Sequence, residues 1–246
     1  VENEPLPKVG DKSIILDGNN RAHLIIVTRK VTVTPFQHVH PYHGYMEGEG
    51  DRSLNYWREV HELFFKPDYE AAGKDFDPMG EAVLEEFDVI YPPEYSEKDE
   101  IYLTLPIEEE SEKYRDYRDE FKAFSSPMDG TDLLEVTEDT KEWVEKENEM
   151  WREENLPNGY VPSTLLVAKR RKDEKVVGMI NIRHSLNDHL LKIGGNVGYS
   201  VRPTERGKGY GKKMLSLSLP YLKALGNIRA LVTCNVTNEA SRRIIT

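Results

Sequence analysis

Three glycines at alternate positions, Gly207, Gly209 and Gly211, fall between Arg206 and an apolar run that opens at Met214. Glycine has no Cβ, takes positive φ without a clash and lets a ligand come close to the main chain. Asn196-Val197-Gly198-Tyr199-Ser200-Val201 before the glycines reads as a strand. The residues after them read as a helix whose first N–H groups and positive dipole end point into the same turn. Strand, bare turn and helix start together make a seat for a diphosphate. Its donors are the amides of Gly207, Lys208, Gly209, Tyr210 and Gly211, with Arg206 and Lys208 as nearby charge. Two common phosphate loops are excluded by spacing. A P-loop requires a glycine five positions before Gly-Lys-Ser/Thr, whereas Arg206 stands there and Lys212-Lys213 follow Gly211. A dinucleotide turn requires Gly-x-Gly-x-x-Gly, which even spacing does not supply.

Groups that could move a proton are fewer. The polar segment Arg183-His184-Ser185-Leu186-Asn187-Asp188-His189 lies between two expected strands, and His184 is its candidate base, since imidazole titrates near neutrality. A purely structural hydrogen bond from His184 is the competing reading. His38, His40 and His43 form a His-x-His-x-x-His run, but Pro41 and Tyr42 interrupt it and no further ligands converge in sequence, so no metal is expected. Cys234 sits among Leu231, Val232 and Val236, where a thiol acts as core filler.

These groups need a frame. The apolar pattern has period two over Ser13–Leu16, Ala22–Val27 and Val31–Val33, with a turn at Asp17-Gly18-Asn19-Asn20. A helix is expected over Ser53–Phe65 and a strand over Ala82–Tyr91. Prolines and charges over Tyr91–Glu100 mark a linker. Beyond it, helices are expected over Glu109–Ala123 and Thr140–Glu154. Strands follow at Ser163–Lys169 and Lys175–Arg183 around a charged hairpin, then the glycine turn, the Met214–Leu225 helix, a strand over Arg229–Val236 and a helix from Asn238. Pro220 inside the penultimate helix predicts a bend, or a freed Ser216 carbonyl, at a cost of about 3 kcal/mol if unrelieved.

Arg206, Gly209 and Gly211 fit Arg-x-x-Gly-x-Gly, and this order of strand, turn, helix, strand and helix resembles the cofactor half of the GCN5-related N-acetyltransferases (GNAT). The resemblance implies acetyl-CoA as co-substrate, an amine as acceptor and no metal. It implies that the strand around Ser200 and Val201 pairs with the pantetheine arm and offers an N–H to the thioester. Asn238 matches a position that meets this arm, and it also reads as a helix cap. Relatives often carry a tyrosine acid in the last helix, where this chain has Ile245.

Leu6-Pro7-Lys8-Val9-Gly10-Asp11, Glu47-Gly48-Glu49-Gly50-Asp51-Arg52, Tyr56-Trp57-Arg58 and Glu86-Phe87-Asp88-Val89-Ile90-Tyr91 resemble a second family, the ASCH domain, with a small β-barrel of the PUA type. Some of its members hydrolyse acetylated cytidine with a Lys, a Thr and a Glu. Of these only the Glu has a counterpart, Glu47 or alternatively Glu49, so that activity is not expected. RNA is the implied partner. Tyr42, Tyr45, Tyr56 and Trp57 with Arg52 and Arg58 would form the stacking patch, although Trp57 also reads as core.

The expected fold class is therefore α+β: a PUA-like barrel over residues 1–95 and a mixed-sheet GNAT acyltransferase fold over 96–246, both read as truncated, with neither an initiator Met nor the family's last strands. Over 246 residues, 38% hydrophobic and 31% charged content suits a globular chain, and no apolar run approaches a membrane span. One cysteine and no signal-peptide layout lead to a cytoplasmic expectation. A net charge of −11 disfavours broad nucleic-acid affinity and suits a cationic acceptor, whether a small molecule, a peptide or a nucleoside amine.

Overall fold

The computed structural model describes residues 5–92 and 100–245, so most of the expected linker lies outside the described residues. The chain forms two compact units, Val1–Val39 with Asn55–Asp99, and His40–Leu54 with Glu100–Thr246.

The first unit holds a three-stranded antiparallel sheet in the order β1 (Lys12–Leu16), β2 (Ala22–Pro35), β3 (Glu81–Tyr91). The two short strands expected over Ala22–Val33 are one continuous β2, because no Gly or Pro separates the β-branched runs Ile25–Thr28 and Val31–Thr34 and a register shift between Thr28 and Lys30 joins them. Helix α2 (Leu54–Ala71) continues beyond Phe65 and buries Trp57. Phe36 packs against Trp57, Phe65 and Phe76 at centroid distances of 5.3, 6.2 and 5.1 Å.

The second unit is built on a four-stranded antiparallel sheet, β4 (Ile101–Thr104), β5 (Ser163–Arg170), β6 (Lys175–Arg183) and β7 (Val197–Val201). Every residue of β5 is buried, because helices cover both faces. Helix α6 (Tyr210–Ala224) lies on one face with Met214, Leu215 and Leu222 against Leu166, Ile180 and Ile182. Its approach depends on Gly178: a Cβ there would stand 2.5 Å from Met214 Sδ. Helices α3 (Ser111–Ala123) and α4 (Thr140–Glu149) cover the other face, with Tyr114, Tyr117, Phe121 and Trp143 against Leu165, Val167 and Met179. Pro220 lies within α6 without ending it, and both Pro220 and Ser216 are exposed, on a face where solvent can relieve the freed carbonyl.

Three segments depart from expectation. Residues Pro41–Glu47 form helix α1: Pro41 suits the first turn and His40 Nδ1 caps it by accepting from the Tyr42 amide at 3.0 Å. Asp188–Lys192 is a short helix, α5, capped by Asn187, where a polar loop was expected. The strand expected over Arg229–Val236 is reduced to one bridge, Gly195 to Val232. Side chains replace its ladder: Asn196 Oδ1 accepts from the Leu231 amide at 2.9 Å, and Thr233 Oγ1 from the Gly194 amide at 3.0 Å. Helix α7 (Glu239–Ile245) follows.

Helix α1 belongs to the core of the second unit. Tyr42 and Tyr45 each lie 5.1 Å from Tyr221 of α6, and Tyr42 Oη donates to the Leu103 carbonyl at 3.0 Å. Tyr42→Ala is expected to destabilise the protein by roughly 3 kcal/mol, the usual cost of emptying an aromatic site. Tyr56→Ala, at a more exposed ring, should change stability little. Equal denaturation midpoints for the two variants would remove α1 from that core.

Candidate functional site

Strand β7 leads through a turn at Pro203–Glu205 into the glycine run, and α6 begins at Tyr210. Gly207 and Gly209 have φ of +79° and +84°, which side-chain-bearing residues rarely adopt. A Cβ on either would meet nothing within 4 Å, so the turn is open. Lys213 N donates to the Gly209 carbonyl and starts the helix ladder. Among the described residues, the amides of Gly207, Lys208, Gly209, Tyr210, Gly211 and Lys212 have no internal acceptor. Six successive donors without a partner among the described residues therefore lie at the positive end of a helix. Gly211 is different: its Cβ would stand 2.7 Å from Ile244 Cδ1, so this glycine also lets α7 pack on α6.

Charge around the turn is organised by Glu205, which is only 4% exposed. It accepts from Arg170 Nη1 at 2.8 Å, Lys175 Nζ at 2.7 Å and Lys208 Nζ at 2.7 Å. Burial alone would raise its pKa. The hydrogen bonds from Lys175 and Lys208, with the charge of Arg170, outweigh that and hold it down to about 2. Arg206 folds away from the turn, donating through Nε to the Val201 carbonyl at 3.1 Å and through Nη2 to Ser126 Oγ at 2.7 Å. Lys208 is thus the cation of the run that stays beside the amides.

Among the described residues, β7 is an edge of its sheet. The Arg202 amide donates to the Val177 carbonyl at 2.9 Å, so by alternation the main chain of Ser200 faces β6 while that of Tyr199 and Val201 faces the open edge. Ser200 is fixed from behind by Tyr117, whose hydroxyl donates to the Ser200 carbonyl at 3.0 Å and lies 3.1 Å from Ser200 Oγ. Tyr199 Oη meets Ser241 Oγ of α7 at 2.8 Å. Asn238 caps α7, its Oδ1 accepting from the Ser241 amide at 3.0 Å.

His184 lies at the end of β6, away from the glycine turn in sequence and in hydrogen bonding. Its Nε2 is 2.8 Å from Thr164 Oγ1, which in turn is 3.0 Å from Tyr221 Oη. Burial lowers its pKa to about 4, so it is neutral at pH 7. Glu47 ends α1, is exposed, and has its Oε2 3.9 Å from His43 Nε2. Of the rings considered for base stacking, Tyr42, Tyr45 and Trp57 are buried, and that patch is not presented to a partner.

Sequence reasoning missed Glu205 and Tyr117. A glutamate three residues before Lys208 was a local signal for the first, but Arg170 and Lys175 lie on other strands. No local pattern links Tyr117 to Ser200.

Comparison with known proteins agrees with this arrangement. Residues 1–91 match the ASCH domain model and residues 111–246 the acetyltransferase (GNAT) domain model. No curated protein matches the chain. Among solved structures, an ASCH domain from Lactobacillus crispatus JV V101 is 31% identical with a TM-score of 0.35, over 36% of this chain and 56% of that one. A protein from Enterococcus faecalis V583 is 37% identical with a TM-score of 0.32, over 35% and 52%. The chain thus spans little more than half of each of these two relatives. A proposed ribosomal-protein-serine acetyltransferase from Vibrio cholerae is 15% identical with a TM-score of 0.40, over 60% and 78%. With a strand, a bare glycine turn and a helix start in the order of that family, and a family match over more than half its length, the chain belongs to the GNAT acetyltransferases and carries an ASCH domain before that region.

Proposed function

We propose that the second unit transfers an acetyl group from acetyl-CoA to an amine. One observation carries this: six unpaired amides in an open glycine turn, in a chain of this family. The residues present fit the diphosphate of the co-substrate, because among the described residues nothing lies within 4 Å of where a Cβ on Gly207 or Gly209 would stand. The amides of Gly207 to Lys212 bind it, and Lys208 adds charge from the rim. Val201 and Tyr199 offer their main chain to the pantetheine arm as an added strand. When bound, acetyl-CoA supplies a thioester carbon that the amine nitrogen attacks, the C–N bond forming as the C–S bond breaks and the electron pair leaves on sulfur. The Val201 N–H is the donor available to the thioester oxygen. Asn238 reaches the same arm only if it gives up its cap to Ser241.

The neutral His184, engaged with Thr164 and with a pKa of about 4, is a weak acceptor for an ammonium proton and serves better as an anchor of the Thr164–Tyr221 chain. Amines of small molecules, peptides and nucleosides all suit the negative net charge.

Gly209→Glu is expected to abolish CoA binding in isothermal titration by filling the seat with an anion, while Gly209→Ala weakens it less, through strain at φ +84° alone. Undiminished affinity in the glutamate variant, with an unchanged melting temperature, would refute the placement.

Glu205→Gln tests the support of the turn. Because the folded pKa of Glu205 is depressed, its stabilisation is complete above the ordinary carboxylate range near 4.5 and is lost as pH falls toward about 2. The variant should lose roughly 2 kcal/mol at pH 7, less than a fully buried pair would, since Lys175 and Lys208 reach water. Its stability should also fall less than the wild type's between pH 5 and pH 3. Parallel acid-denaturation curves would show that Glu205 contributes nothing to the turn.

A further inference from the structure

Side chains alternate across β6, so Met179, Asn181 and Arg183 face the side covered by α3 and α4, opposite α6. Asn181 is 1% exposed, and its Nδ2 donates to Asp132 Oδ2 and lies 3.5 Å from Ser163 Oγ. Asp132 is held in the α3–α4 connection by unusual geometry. Asp132 and Leu133 have φ of +37° and +68°, a conformation that non-glycine residues adopt under constraint. Trp143 Nε1 fixes the loop by donating to the Thr131 and Asp132 carbonyls at 3.1 and 3.2 Å. Gly130 presses against β7 so closely that its Cβ would stand 2.2 Å from the Gly198 carbonyl oxygen.

One turn along α4 from Trp143, Glu147 is 5% exposed, and its buried Oε2 has no hydrogen-bond partner among the described residues. Two carboxyl groups, the partly exposed Asp132 and the buried Glu147, thus lie near enough to feel each other's charge. One is bonded to a neutral amide and the other's buried oxygen to nothing. The neighbouring cation, Arg183, directs its guanidinium to the Gly194 and Gly195 carbonyls at 3.3 and 3.1 Å. Burial raises the pKa of Asp132 against the opposing effects of Arg183 and Asn181. It raises that of Glu147 well above the ordinary range, with the charge of Asp132 adding to the rise. An unpaired acid pair of this kind is costly to bury, and a bound cation satisfies both members.

Position gives that cation a role. Asn181 is the cross-strand partner of Gly198, the residue next to Tyr199 on the strand whose free edge is offered to the co-substrate. Adjacent strands stand about 5 Å apart, so Asp132 lies on the α3–α4 side of the sheet, close behind that edge. We infer that Asp132 and Glu147, supported by Asn181 and Ser163, form the site that receives the protonated amine of the acyl acceptor. This rests on the acetyl-transfer reading above.

The test uses the full chain labelled with nitrogen-15 and titrated with 1-butylammonium at pH 7.5. The indole N–H of Trp143 and the amides of Thr131 and Asp132 should shift saturably with butylammonium and not with neutral 1-butanol. Asp132→Asn should weaken the binding by about tenfold, as loss of a charge-assisted hydrogen bond implies, and the isosteric Glu147→Gln should weaken it as well. Glu145→Gln, at an exposed acid of the same helix, should leave it unchanged. Absence of saturable shifts in the wild type, or equal affinity in the Asp132 and Glu147 variants, would reduce the pair to core acids that retain their protons. Titration of the same samples with CoA separates the two ideas. CoA binding that survives in Asp132→Asn while ammonium binding falls supports the site. A wild type that binds ammonium but not CoA overturns the transfer reading and leaves a cation site.

Discussion

Six consecutive main-chain N–H groups without an acceptor among the described residues are a constraint that the rest of the second unit must support. Such donors are tolerated only at a surface where water or an anion can reach them, and they stay aligned only if the chain on both sides is fixed. On the N-terminal side, Glu205 and its three basic partners pin the turn to β5 and β6, while Arg206 clasps the end of β7. On the C-terminal side, α6 is sunk into the sheet by the contact of Met214 with Gly178, and Tyr210 is buried with its hydroxyl donating to Glu100 at 2.6 Å. Openness at the turn and rigidity around it have the same cause.

The core that supplies this rigidity draws on an unexpected part of the chain. Residues His40–Leu54 fall inside the stretch matched by the ASCH model, yet they pack within the unit that holds the acetyltransferase match. Two of its tyrosines close over Tyr221, whose hydroxyl continues through Thr164 to His184. A polar chain buried among aromatic rings is tolerable only when each member has a partner, which is the case for these three.

Much of this was legible in the sequence. The alternate glycines, the helices at Ser111–Ala123 and Thr140–Glu149 and the hairpin of β5 and β6 follow from local spacing and turn chemistry. Strand β4 did not, because Ile101–Thr104 is buried on both faces and its four residues show no alternation. Helix α1 was hidden by Pro41 and Gly44, residues that ordinarily argue against a helix, and became stable through tertiary packing of Tyr42 and Tyr45. The opposite error occurred at Leu231–Val236. A β-branched run there predicted a strand, but the Asn196 side chain takes the Leu231 amide that a ladder would have used. Asp132 and Glu147 were unreadable for a different reason. Among 44 acidic residues, nothing local marks the few that tertiary structure will bury.

Electrostatics then gives the two sides of β7 opposite character. On the glycine turn, Glu205 is satisfied three times over, while Lys208 remains half exposed with its Nζ 2.7 Å from the carboxylate. An arriving diphosphate can draw Lys208 away at little cost, because Arg170 and Lys175 still neutralise Glu205 and no buried charge is left unpaired. The loop is therefore braced on its N-terminal side, and the half-exposed Lys208 is already within a hydrogen bond of Glu205. Behind β7 the situation is reversed: among the described residues the buried Glu147 and the partly exposed Asp132 have no salt-bridge partner, and the Arg183 guanidinium is committed to backbone carbonyls. On the acetyl-transfer reading, a sheet edge between a surplus of donors and a surplus of acceptors suits an anionic carrier on one side and, on the other, an ammonium acceptor that gives up a proton before its nitrogen attacks. The two reactants of an acyl transfer to an amine have that distribution of charge.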